Sequence, residues 1–183
     1  MRAGTVFRRF TAEDGREVTL RAPKWSDLDD MLEFINSLVE EGANILVDTK
    51  QTRESEVEWL ARLLTSLEKD KQVVVVAEVD GRFVGQTEVT PKGGRSRHVG
   101  SIGIALKDGY RGVGIGSELM REAETHSRRL GLEILQLEVF ASNDRARHVY
   151  EKAGYRETGR WPREIKKDDA YIDAILMSKE ISG

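Results

Sequence analysis

Apolar residues recur along the chain at a spacing of two, then of three and four, then of two again, a pattern that predicts strands and helices around one sheet. "FRRFTAEDGREVTLR" alternates and breaks near Asp14-Gly15, which predicts a hairpin. From Ser26 to about Glu41, Leu28, Met31, Leu32, Ile35, Leu38 and Val39 follow helical spacing, and Gly42 suits the stop. A second helix is expected from about Thr52 to Leu67, with Val57, Leu60, Leu64 and Leu67 on one stripe. "QVVVVAEVDGRFVGQTEVT" reads as two strands around Asp80-Gly81, a two-residue hairpin signal. A loop, "PKGGRSR", and a third strand, "HVGSIGIAL", follow. Beyond a glycine cluster, Ile115, Leu119, Ala123 and Leu130 mark one face of a helix that stops at Gly131. "LEILQLEVF" is the next strand, and "SNDRARHVYEKAGY" a short helix with Ser142 or Asn143 as its cap and Gly154 after its end. Strands near Tyr155–Gly159 and Ala170–Lys179 close the chain. The expected order is β, αα, βββ, α, β, α, ββ.

The 183 residues, 39% hydrophobic and 33% charged, match the size of one ordinary domain, and no repeat or linker divides them. One domain over residues 1–183 is therefore expected. A net charge of −3 is too small and too mixed to suggest a nucleic-acid partner. The absence of cysteine removes disulfides, thiolate catalysis and cysteine metal sites. His98, His126 and His148 show no metal-ligand spacing, so no metal is expected. The longest apolar run, Val73 to Ala77, is far short of a membrane span, and "MRAGTVFRRF" lacks a signal-peptide core. No membrane partner and a cytoplasmic location are the resulting expectations.

Chemistry enters with "GYRGVGIGSELMREAETH", where Gly112, Gly114 and Gly116 stand directly behind Arg111 and before a helix. Strand, glycine turn and helix N-terminus together make an anion site: amides point one way and the helix dipole adds about half a positive charge. Missing Cβ atoms let a diphosphate approach the backbone. No Lys-Ser/Thr follows the last glycine, so this is not a P-loop. The spacing G-x-G-x-G is not the dinucleotide fingerprint either. Glu138, at the end of the following strand, sits where a ribose-binding acid would, yet the antiparallel meander before the glycines argues against that fold. A turn that merely connects strand to helix remains open on these residues alone.

"GYRGVGIGSELM" resembles the pyrophosphate motif of the GCN5-related N-acetyltransferases, R/Q-x-x-G-x-G/A, at Arg111, Gly114 and Gly116. "LQLEVFASNDRARHVYEKAGY" is similar to the second half of that signature, with Asn143, Tyr150 and Gly154 in place, and the likeness extends over about residues 17 to 180. The resemblance implies an α/β fold with a mixed, mostly antiparallel sheet of about seven strands and helices on both faces. It implies acetyl-CoA as co-substrate, its pyrophosphate on backbone amides of Gly112, Val113, Gly114, Ile115, Gly116 and Ser117. Ile104, Ala105 and Leu106 would hydrogen-bond the pantetheine arm, where two parallel strands splay apart to admit the thioester.

Tyr150 stands seven residues after Asn143, two helical turns on, so both share nearly one face. By the resemblance it is the candidate general acid for the departing sulfur, against the plain alternative of an aromatic packing residue. Asn143 is a helix cap that by the resemblance also meets the cofactor. Glu138 is the candidate base, because "LEVFASN" is similar to ribosomal-protein alanine N-acetyltransferases. Its alternation with Leu135, Leu137 and Val139 equally fits a solvated strand face. Glu88 is the second candidate base. Arg145, Arg147 and Lys152 are candidates for the cofactor's 3′-phosphate, and each also reads as a surface charge.

Acceptor choice in the resembled family falls to "LVEEGANILVDTKQT" and "WPREIKKDDAYIDA", where Glu40, Glu41, Asp48 and Asp173 stand ready for a cationic amine. Amino acids, polyamines, protein N-termini and protein lysines all stay open as acceptors. A homodimer is expected by the same resemblance. Two other functions stay open: a sensor that binds acyl-CoA without turnover, and a nucleotide-dependent oxidoreductase.

Overall fold

The computed structural model describes residues 1–182, so only Gly183 of the expected domain lies outside it. Its strands are β1 (Val6–Thr11), β2 (Glu17–Arg21), β3 (Val73–Val79), β4 (Arg82–Pro91), β5 (Val99–Leu106), β6 (Ile134–Phe140), β7 (Arg156–Lys167) and β8 (Ala170–Glu180). The helices are α1 (Leu28–Glu40), α2 (Arg53–Glu68), α3 (Ile115–Arg129) and α4 (Asp144–Lys152). All eight strands join one sheet in the order β1-β2-β3-β4-β5-β6-β8-β7. It is mixed and mostly antiparallel, as expected, with one strand more than the expected seven.

Local chemistry explains the elements. Asp80 and Gly81 both hold positive φ (50° and 77°), the turn that matches the twist of β3 and β4. Thr52 caps α2 by accepting from the Ser55 amide, and Asn143 caps α4 by accepting from the Ala146 amide at 3.2 Å. The closing hairpin is longer than the sequence pattern predicts, because β7 continues past Gly159 to Lys167. Pro162 is tolerated there on an edge strand, within an irregularity between Trp161 and Ile165. Asp173 holds that bulge, its carboxylate accepting from the Arg163 amide at 2.9 Å.

The sheet faces carry different cores. Val73, Val75, Val89, Ile102, Leu135, Leu137 and Val139 pack with Ile115, Leu119, Met120 and Ala123 of α3 and with Tyr150 of α4. Val74, Val76 and Phe83 pack on the opposite face under α1 and α2. The buried stripe of α1 is Leu28, Met31, Phe34 and Leu38, whereas Leu32, Ile35 and Val39 stay half-buried. Phe34 turns the helix this way by packing edge-on against Phe83, with ring centroids 5.0 Å apart. In α2, Leu63 joins Leu60 and Leu67 in the core while Val57 and Leu64 flank it.

One pairing positions everything that follows. β5 and β6 run parallel and pair only at Val99–Ser101 with Ile134–Gln136. Beyond those residues the strands separate, while β5 stays bonded to β4 and β6 to β8. The gap opens the sheet from one face to the other.

Candidate active site

A cavity of about 1080 Å³ passes through this gap. Its lining includes Ile104, Ala105 and Leu106 of β5, Gly112, Gly114, Gly116 and Ser117 of the glycine turn, and Asn143, Arg145 and Tyr150 of α4. It also includes Glu88, Glu138, Phe140 and Ile165. The gap leaves the β6-facing edge of β5 without a strand partner after Ser101, so its backbone faces the cavity.

The glycine turn has the geometry that an anion site requires. Gly112 and Gly114 hold positive φ (77° and 88°), and Gly114 caps α3 in the left-handed conformation that side chains disfavour. Among the described residues, the amides from Gly112 through Ser117 donate to no protein acceptor. Four such amides are normal at a helix start, and the turn extends the row. Ile115 and Val113 offer only their backbones: the Ile115 side chain is fully buried, and the Val113 carbonyl accepts from the Glu13 amide at 3.1 Å. Gly116 needs no special φ, since a Cβ there would meet Leu106 and Ile104 only at ordinary contact distance.

Two arginines border the turn. Arg111 donates from Nε to the Leu106 carbonyl at 2.8 Å and forms an ion pair with Glu41 at the end of α1. Arg145 lies against Gly112, in the space a Cβ would fill. Of the three basic residues expected near the cofactor, Arg145 lines the cavity, whereas Arg147 pairs with Asp144 and Glu157 and Lys152 lies exposed.

On the α3/α4 side of the gap, Tyr150 is buried and its phenol is pushed up to about 12 by desolvation, which keeps it protonated at neutral pH. On the opposite face the register aligns two carboxylates. Glu88 pairs across from Gly103, and Glu138 lies two residues beyond Gln136, which pairs with Ser101. Nothing lies within 4 Å of a Cβ placed on Gly103, so an open trough separates them. They differ in solvation: burial raises the Glu88 carboxyl, whereas Glu138 is exposed to the open cavity.

Most acids expected to wait for a cationic acceptor are engaged elsewhere. Glu40 pairs with Lys50 at 2.6 Å, and Asp173 binds the Arg163 amide and the Arg160 guanidinium. Asp48 is exposed and does not line the cavity; Glu41 does, but holds Arg111. Among the histidines, His126 is buried against the Phe7 ring and His148 is exposed. No cluster of three metal-ligating side chains occurs among the described residues.

The sequence reading missed how the turn is braced. Arg16 donates to the Gly109 carbonyl at 2.6 Å and stacks on Tyr110 at 4.2 Å. With the Glu13–Val113 bond, this fixes the β1–β2 loop under the turn. These contacts join residues about a hundred positions apart, and no local pattern announces them.

The sheet is thus split between two parallel strands, with a glycine turn and a helix start beside the split. The family comparison is specific: residues 35–155 match the model of the Acetyltransferase (GNAT) family. An N-acetyltransferase of Archaeoglobus fulgidus is 32% identical over 129 residues, 68% of this chain and 86% of that one. The L-amino acid N-acetyltransferase AaaT of Escherichia coli is 31% identical over 107 residues, 57% of this chain and 66% of that one. A phosphinothricin acetyltransferase from Sinorhizobium meliloti, solved with acetyl-CoA, shares the fold with a TM-score of 0.78 at 21% identity, over 89% of this chain and 88% of its own. The chain belongs to the GNAT family, which places its chemistry in the class of acetyl-CoA-dependent transfer to amines.

Proposed function

We propose that the protein acetylates a primary amine from acetyl-CoA by direct attack, with Tyr150 as general acid and Glu88 as general base. The observation that carries this reading is the split sheet, with an anion turn and a protonated phenol on one face and a desolvated carboxylate on the other. The cofactor enters along β5, its pyrophosphate on the Gly112–Ser117 amides, and presents its thioester in the gap. The incoming ammonium loses a proton to Glu88, and its free electron pair attacks the thioester carbonyl. The C–S bond then breaks and sulfur takes the Tyr150 proton. A second proton leaves nitrogen as the amide forms and restores the phenol, so one proton is released to water overall.

Glu88 is preferred to Glu138 as base because a carboxylate raised by burial holds a proton more readily. Glu138 keeps a role in acceptor binding. The test is thiol release from acetyl-CoA with amine acceptors, comparing the parent protein with Tyr150→Phe. Loss of kcat by about 10²-fold or more with unchanged acetyl-CoA affinity is expected. Unchanged kcat would remove Tyr150 from the chemistry. Acetyl-CoA binding without thiol release from any amine would favour a sensor.

A further inference from the structure

Charge is sorted along the cavity. Among the described residues its charged lining is Glu41, Glu88, Asp108, Arg111, Glu138 and Arg145. Both cations stand at the glycine turn, where the cofactor's phosphates go. On the acceptor face, the charged lining residues are the carboxylates Glu88 and Glu138. Neighbouring cations lie outside the cavity lining, each with a partner of its own. Lys92 donates to Gln136 at 2.6 Å, the Arg160 guanidinium pairs with Asp173, that of Arg163 stacks on the Tyr171 ring at 4.3 Å, and Lys167 donates to the Gly42 carbonyl at 2.6 Å.

An acceptor with its own carboxylate would meet two carboxylates and no cation among the residues that line that face of the cavity. Like charges there repel more strongly than in water. An acceptor with a second ammonium meets the reverse. The trough over Gly103 is wider than two paired strand spacings, ~10 Å, because β5 and β6 have parted before it. Phe140 and Ile165, both buried and both lining the cavity, supply an apolar wall beside Glu138 for a methylene chain.

Resting on the acetyl-transfer reading above, we infer that the acceptor is an aliphatic diamine or polyamine. Glu88 serves the reacting nitrogen, Glu138 holds a second ammonium, and free amino acids are turned away.

The experiment uses the full chain and three matched acceptors: putrescine, n-butylamine, which lacks the second amine, and ornithine, which adds a carboxylate. Acetyl-CoA binding is first established by calorimetry, and thiol release then gives kcat/KM for each. A charge-assisted contact predicts that putrescine exceeds butylamine by roughly 10- to 100-fold. Ornithine falls well below putrescine. Glu138→Gln brings the putrescine-to-butylamine ratio towards one, and Glu138→Asp, which keeps the charge, retains part of the preference. Equal rates for putrescine and butylamine, or ornithine at or above putrescine, overturn the inference and leave acetyl transfer standing. A basic peptide that outpaces every small amine does the same and points to a protein acceptor. Acetyl-CoA binding with release to none of the four acceptors overturns acetyl transfer itself.

Discussion

The two halves of the cavity are built from different materials. The half proposed for the cofactor is made of backbone: a row of free amides, two left-handed glycines and a helix start, with Arg111 and Arg145 beside them. The half proposed for the acceptor is made of side chains, Glu88, Glu138, Phe140 and Ile165, brought together from β4, β6 and the long edge strand β7. A backbone site binds whatever presents a diphosphate and allows little variation. A side-chain site changes its acceptor with one substitution. The contrast explains how a single fold can keep one co-substrate and exchange the other.

The sharpest way to break the comparison is at Glu88, whose substitution should abolish chemistry while sparing the cofactor half. Glu88→Gln is expected to lower kcat by about 10²- to 10⁴-fold, the span of positioned acid–base groups, with acetyl-CoA affinity unchanged by calorimetry. In the parent protein the rate should fall on acidification through a pKa above the ordinary carboxylate range, and Glu88→Gln should lose that limb. Stability follows from the same shift. A carboxyl raised in the folded state binds more protons than in the unfolded state over the interval between the two pKa values. Stability therefore decreases as pH rises through that interval. The glutamine variant is expected to melt higher than the parent at neutral pH, a gain in stability at the expense of activity.

The geometry of the glycine turn was legible in the sequence, and the reason is physical. An anion site made of backbone requires glycines at fixed positions, and Gly112 and Gly114 occupy the left-handed conformations that justify them. Tyr150 and Asn143 were legible because helical spacing is a short-range code. The acceptor half was not, because it depends on strand register and on contacts between distant residues. Glu138 opens to the cavity because β5 and β6 stop pairing two residues before it, whereas Glu88 stands on a strand paired on both sides. Glu41 looked free for an amine, yet Arg111, seventy positions on, claims it. The end of β7 was hidden because Pro162 reads as a terminator unless the strand is known to lie at an edge.

The glycines themselves allow a second comparison, within the turn. Gly114→Ala forces a side chain into the left-handed region, at a cost of about 1–2 kcal/mol. It also brings a Cβ to 3.4 Å from the Glu13 carboxylate. Thermal unfolding should move down, and acetyl-CoA affinity should drop by about tenfold as the amides lose their alignment. Gly116→Ala should act oppositely on stability. Its φ is ordinary and its Cβ would find only Leu106 and Ile104 at contact distance, so the helix should gain up to ~1 kcal/mol. A Gly116→Ala protein that melts lower than the parent would show that the turn is strained in a way its dihedral angles do not reveal.

The smallest effect tests whether the halves communicate. Glu41 closes α1, leads into the α1–α2 loop that lines the cavity through Ile45 and Leu46, and holds the Arg111 guanidinium. A diphosphate arriving at the turn competes for that guanidinium, so the ion pair opposes cofactor binding by whatever it is worth. Both side chains are partly exposed, and such pairs contribute a few tenths to one kcal/mol. Glu41→Gln should therefore tighten acetyl-CoA by about two- to fivefold. The gain should shrink as salt is raised, because screening already weakens the pair in the parent. Acetyl-pantetheine, which lacks the diphosphate, should show no gain. Weaker binding of acetyl-CoA in the variant would mean that Glu41 aims Arg111 at the turn rather than competing for it, and the two halves would then be joined by positioning instead of competition.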